Sequence, residues 1–178
     1  WEGHTIHLLQ NSAPLWIGCR LIAPLACLPA LQLAIEQTGA EALSPEGYHL
    51  LHIENGIPQV QAELNEDFTP LETGLQSAIS ESKGCYTGQE IIARQITYDK
   101  VTQHLCGLRL SYPAEVGNPV WQADRSIGRV TSTVLSPRYG PIALAIIKRP
   151  HHEPGTAVLV GSHADQAHEA WVSKLPFG

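Results

Sequence analysis

From Gln103 onward the chain is a series of short apolar runs separated by turn residues, and this alternation restricts the fold more than any other feature. The runs are residues 104–110, 127–135, 142–147, 156–160 and 170–175. Between them stand Gly117-Asn118-Pro119, Ser136-Pro137-Arg138-Tyr139-Gly140 and Glu153-Pro154-Gly155, combinations that reverse a chain. Short strands at this spacing bury their apolar faces against one another, which predicts a small antiparallel barrel or sandwich.

The residues before Gln103 have a different texture. Residues 5–9 and 15–23 read as two strands joined at Asn11-Ser12-Ala13-Pro14. Residues 28–38 read as a helix, with Leu28, Leu31 and Ile35 on one face and Gly39 past its end. A second helix is marked by Ser44 as N-cap, Pro45 at the first helical position, and Leu43 and Tyr48 at staple spacing. Gly56 closes it after Leu50, Leu51 and Ile53. Residues 57–82, with Pro58, Pro70, Gly74 and a run of acids, read mostly as loop. The change of texture falls near residues 99–102.

Charge excludes some functions and leaves others. The 178 residues carry a formal charge of −6, too acidic overall for generic binding to a phosphate backbone. Residues 1–82 hold ten acids and one cation, whereas residues 83–149 hold nine cations and four acids. A basic middle of this kind can receive an anionic ligand locally, or is simply how surface charge falls. Charged residues are 16% of the chain against about 25% in average domains, which points weakly to surface that something else covers.

The uncharged residues 21–35 are too few to span a bilayer and are broken by Pro24 and Pro29, so no membrane span is expected. Trp1-Glu2-Gly3-His4 is no secretory start, and the lack of any Met leads us to expect a processed chain or a piece of a longer one. Cys19, Cys27, Cys85 and Cys106 form no C-x-x-C pair, which predicts a reduced, cytoplasmic protein without a zinc site. His49 with His52, and His151-His152-Glu153, lack the further ligands a metal would need.

The densest signal is Lys83-Gly84-Cys85-Tyr86-Thr87-Gly88-Gln89-Glu90. Thr87 and Glu90 have capping-box spacing, with Tyr86 and Ile91 as a staple, and the helix should continue through Ile92, Gln95 and Ile96 to about Tyr98. Capping leaves Lys83, Gly84, Cys85 and Gln89 unexplained. Two readings of Cys85 stand side by side. It is a small buried hydrophobe, or a thiol activated by a helix N-terminus and by Lys83.

This segment resembles the signature of YgfZ-type folate-binding proteins, relatives of the glycine-cleavage T-protein (aminomethyltransferase) group. Gly47-Tyr48, Ile53-Glu54-Asn55-Gly56-Ile57-Pro58 and Pro70-Leu71-Glu72 follow the same order. Gly128-Arg129-Val130-Thr131-Ser132, Ile142-Ala143-Leu144-Ala145 and Leu175-Pro176-Phe177 extend the resemblance over most of residues 44–178. It implies an α+β fold: an αβ segment of the T-protein-like folate-binding domain over residues 1–101, then a small antiparallel β-barrel over residues 102–178. It also implies tetrahydrofolate as cofactor, in a cavity that a missing N-terminal domain completes.

The implied function is accessory, supporting iron–sulfur cluster assembly or repair and tRNA modification. Iron–sulfur assembly or client proteins are the implied partners, and direct tRNA contact is left open. Cys85 stands where the T-protein branch commonly carries an acid, and is the implied reactive group. Glu54 matches a glutamate that accepts hydrogen bonds from the pterin ring, a role a carboxylate suits. Lys83, Tyr86, Gln89 and Arg94 are the other implied folate-binding residues. His52 stands where relatives often carry Arg. Two alternatives remain: a tetrahydrofolate-dependent one-carbon transferase of the aminomethyltransferase kind, and a non-catalytic binding module.

Overall fold

The computed structural model describes residues 1, 3–13 and 16–178. The chain divides into two compact units, residues 1–48 and 49–178. In the first, β1 (His7–Ala13) and β2 (Trp16–Ile22) form an antiparallel hairpin, followed by helix α1 (Leu28–Glu36). Both strands and the helix match their sequence signals. However, β1 continues through Asn11-Ser12-Ala13, which the sequence assigns to the turn, and the reversal expected at Pro14 lies outside the described residues.

Helix α2 (Pro45–Asn55) begins and ends where its residues dictate. The Ser44 hydroxyl accepts the amide of Gly47 at 3.1 Å, satisfying one of the free donors of the first turn. At the far end Gly56 takes φ +65°. Its amide donates to the Ile53 carbonyl and that of Ile57 to the His52 carbonyl, the paired bonds of a Schellman cap. Residues 57–82 are turns with one 3-10 segment at Gln76–Ala78, as their prolines and glycines indicate. They are nevertheless well packed: Glu63, Leu71, Glu72 and Thr73 are all buried. Helix α3 (Gln89–Thr97) follows.

The remainder is a closed barrel of six strands: β3 (Gln103–Leu110), β4 (Pro119–Gln122), β5 (Arg125–Ser136), β6 (Gly140–Lys148), β7 (Ala157–Val160) and β8 (His168–Ser173). Around the barrel the order is β3-β6-β5-β4-β7-β8, every pairing is antiparallel, and β8 returns to β3. The α+β reading with a small antiparallel barrel is therefore what the chain adopts. Strand β4 is the one the sequence reading missed. It is four residues long and begins at Pro119, whose missing N–H marks a turn more readily than a strand.

Strand β6 explains its own unbroken apolar run. Ala143, Ala145 and Ile147 face the barrel interior beside Leu108, Val130 and Val172. Ile142 and Leu144 face outward into a second layer with Ile53 of α2 and Phe177. A strand buried on both faces cannot alternate apolar with polar residues. Gly107 of β3 makes room for this layer, since a Cβ there would meet the Phe177 ring at 2.7 Å. The C-terminal Leu175-Pro176-Phe177 thus closes over the end of α2, and the Phe177 amide donates to the Glu54 carbonyl at 2.9 Å.

Among the described residues, no helix is long and apolar enough to cross a membrane.

Candidate functional site

The loop before α3 is built differently from its capping-box reading. The helix starts one residue later, at Gln89, with Gly88 as N-cap at φ +87° and no side-chain cap. Glycine adopts that left-handed conformation without a Cβ penalty, so the chain turns into the helix at Gly88 and leaves Thr87 exposed outside it. The local brace is supplied by Gln89 instead, whose Oε1 accepts the Tyr86 amide at 3.2 Å. Gln89, rather than the expected Thr87–Glu90 pair, thus supplies the side-chain contact at this turn.

This turn projects the motif into solvent. Cys85 is exposed and its thiol is free. The Lys83 ammonium lies over the Tyr86 ring, 4.6 Å from its centroid. Lys83 and Tyr86 together line two adjoining grooves. One, of about 310 Å³, also takes in Gln89, Glu90 and Ile96. The other, of about 430 Å³, takes in Phe68, Pro70, Ile91 and Ile92. Lys83, Tyr86 and Gln89 are therefore brought together, whereas Cys85 and Arg94 line neither groove. Arg94 is exposed on α3.

Glu54 stands apart from these grooves, half-buried in the last turn of α2. Its Oε1 accepts the Ser136 hydroxyl at 2.6 Å. That same hydroxyl oxygen accepts the amides of Arg138 and Tyr139 at 3.1 and 3.0 Å, which tightens the β5–β6 turn. The carboxylate near the negative end of a helix, an unfavourable place by dipole alone, is thus compensated by a short hydrogen bond. A parallel arrangement was not visible in the sequence. Fully buried Glu63 accepts the Ser132 hydroxyl at 2.6 Å through Oε1 and the Gln59 amide at 2.9 Å through Oε2.

A third cluster also went unrecognised. The His104 and His152 rings stack with centroids 4.5 Å apart. The buried Cys106 sulfur lies 3.4 and 3.6 Å from the carbonyl oxygens of His104 and His152, alternative acceptors for its one S–H, and burial, helped by Glu153, pushes its pKa up to about 12. Burial, then His152 and Arg149, hold His104 below its ordinary value of 6.5 against the pull of Asp99 and Glu72. The unfolded chain therefore binds more protons than the folded one as pH falls through about 6.5, and stability contributed above that value is lost below it. Thermal melts should show a lower Tm at about pH 5.5 than at about pH 7.5, and His104→Gln should narrow that gap. An unchanged gap would contradict this assignment. Among the described residues, no three His, Cys, Asp or Glu side chains gather into a group able to hold a metal ion.

Comparison with known proteins bears on the barrel first. Residues 103–177 match the glycine cleavage T-protein C-terminal barrel domain. A chloroplastic putative transferase of Arabidopsis thaliana is 40% identical over 140 residues, covering 78% of this chain and 32% of its own length. An aminomethyltransferase of Streptomyces avermitilis is 34% identical over 177 residues, covering 90% of this chain and 46% of its own length. The chain thus spans from a third to just under half of these relatives. The crystal structure of the glycine cleavage system aminomethyltransferase T from Bartonella henselae superposes with a TM-score of 0.83 at 19% identity, over 97% of this chain and 50% of that one. That likeness speaks for the fold alone. In sequence, then, residues 103–177 are similar to the T-protein C-terminal barrel domain, and most of the chain is similar to part of an aminomethyltransferase and of a putative transferase.

Proposed function

We propose that the chain contributes a folate site of the YgfZ-type branch, with Cys85 as its distinctive thiol, in a cytoplasmic protein that supports iron–sulfur cluster assembly or repair and tRNA modification. The observation that carries this reading is the exposed loop at the start of α3, where an accessible cysteine stands in a segment whose Lys83 and Tyr86 border aromatic grooves.

The residues present fit the chemistry of folate. Tyr86 and Phe68 offer π faces to its aminobenzoyl ring, and Lys83 offers a cation to its glutamate carboxylates. Arg94 is a second exposed cation on the same helix, and Gln89 a neutral amide beside the groove. Glu54 would accept pterin N–H groups through Oε2, its Oε1 being held by Ser136. Bound tetrahydrofolate would supply a one-carbon carrier.

Calorimetric titration with tetrahydrofolate tests the site. Saturable binding is expected, weakened about tenfold in Glu54→Gln, because a hydrogen bond to a charged acceptor is worth ~1.5–3 kcal/mol. Ser136→Ala keeps the carboxylate and should keep binding, which separates ligand contact from the structural role of Glu54. Absence of binding both to this chain and to a form extended at its N-terminus would overturn the reading.

A second reading, a one-carbon transferase, is favoured by the relatives named as aminomethyltransferases. One-carbon transfer to tetrahydrofolate by the extended form, unaffected by Cys85→Ser, would decide for it.

A further inference from the structure

The basic middle of the chain has a local counterpart on the barrel wall. A cleft of about 490 Å³ opens between Asp67-Phe68 and the adjoining ends of β3, β5 and β6, and it shares only Phe68 with the grooves of the motif loop. Register decides which side chains meet there. Ala143, Ala145 and Ile147 of β6 face the barrel interior, so Ile146 and Lys148 stand on the outer face. Arg129 lies opposite Ile146 and Gln103 opposite Lys148, which puts both on that face too. Arg129 and Lys148 are therefore diagonal neighbours across β5 and β6, a spacing at which two long side chains reach a common point.

The cleft is rich in accessible donors. The exposed Arg129 guanidinium lies over the Phe68 ring, 4.8 Å from its centroid, and its Nη2 donates to the Asp67 carboxylate. Those two contacts orient the group, yet a guanidinium carries five N–H donors, and most of them remain for a ligand. Lys148 is exposed and has no acid partner among the described residues. The Gln103 amide and the exposed Ser126 hydroxyl complete the lining with neutral donors. Two cations stand against one acid, so the cleft keeps a net positive charge.

That charge disfavours a cation, and a neutral ligand leaves Lys148 unmatched. A carboxylate brings two oxygens and one charge to four donor side chains. A phosphate group brings three acceptor oxygens and a charge of about −1.5 to −2, and the guanidinium fork matches two of its oxygens at once. The volume of the cleft leaves room for whatever the phosphate is joined to. We propose that the Gln103–Ser126–Arg129–Lys148 cleft binds a phosphate group.

Backbone amide NMR of the whole chain, titrated with phenyl phosphate, reads the site. Saturable shifts are expected at Gln103, Gly128, Arg129 and Lys148, with benzoate binding about fivefold more weakly. Lys148→Gln should weaken phenyl phosphate about threefold and Arg129→Gln about fivefold. Both side chains are exposed, so neither change removes a core contact. Lys174→Gln alters net charge as much as Lys148→Gln but at an exposed position outside the cleft, and should leave binding unchanged. Shifts that fail to saturate, equal affinity for benzoate, or equal effects of Lys148→Gln and Lys174→Gln would overturn the proposal. Inorganic phosphate separates the two sources of this chemistry. Affinity about tenfold below that of phenyl phosphate assigns the cleft to a phosphate monoester, and equal affinity to free phosphate; either supports the site.

Discussion

Gly128→Ala is expected to remove about 3 kcal/mol of stability, the upper end of what overpacking a barrel usually costs. A Cβ built at Gly128 would stand 2.3 Å from the Ile146 carbonyl oxygen and 3.0 Å from the Ile147 Cα. Both obstacles are backbone of β6, which is hydrogen-bonded to β5 on one side and β3 on the other. No rotamer change relieves such a contact, so the strands must separate. Urea denaturation should show an earlier midpoint with an unchanged slope. Ser126→Ala, an exposed change two residues away on the same strand, should leave the unfolding free energy within about 0.5 kcal/mol of the parent. A midpoint unmoved by Gly128→Ala would mean that β5 and β6 are not registered with Gly128 opposite Ile147.

Glu63→Ala should cost about 3 kcal/mol as well, for a different reason. Its carboxyl is wholly buried and serves two donors, the Ser132 hydroxyl and the Gln59 amide. Truncation leaves both without an acceptor and opens a void where the side chain stood. Glu63→Gln retains an acceptor for the Gln59 amide, and the Ser132 oxygen can accept from the new amide group. It should therefore cost only about 1 kcal/mol. The comparison is read by the same denaturation series, and equal losses for Ala and Gln would show that volume, not hydrogen bonding, fixes the cost. The effect matters beyond stability, because this contact fastens residues 57–82, the segment leading to the motif loop, onto β5.

What was legible in the sequence follows from the range of the forces involved. The caps of α2 could be read because Ser44, Pro45 and Gly56 act on amides within a turn of themselves. Most barrel strands could be read because apolar runs between turn residues report burial directly. By contrast, the hydrogen bonds Glu54–Ser136 and Glu63–Ser132 join residues 82 and 69 apart in sequence. No local pattern marks a serine as the partner of a distant acid. Even the start of α3 was misread locally: Thr87 and Glu90 have capping-box spacing, but Gly88 makes the left-handed turn that excludes Thr87 from the helix. The side chain that braces the loop is Gln89, which capping had left unexplained.

The candidate folate residues divide in the same way. Lys83, Tyr86 and Gln89 are close in sequence and meet around shared grooves, whereas Glu54 belongs to the corner between α2 and the barrel. Gly88 and the hydrogen bonds between Tyr86 and Gln89 shape the motif loop, and Cys85 is exposed on it. Its reactivity is thus the natural reporter of anything that binds there.

The account is tested most directly by the rate of Cys85 alkylation, measured by mass spectrometry with and without saturating tetrahydrofolate. Cys19 is an exposed internal reference, and buried Cys106, with its pKa pushed up to about 12, should react only on unfolding. The account predicts that folate slows Cys85 and leaves Cys19 unchanged. Bound folate that leaves the Cys85 rate unaltered would contradict a ligand site at this loop.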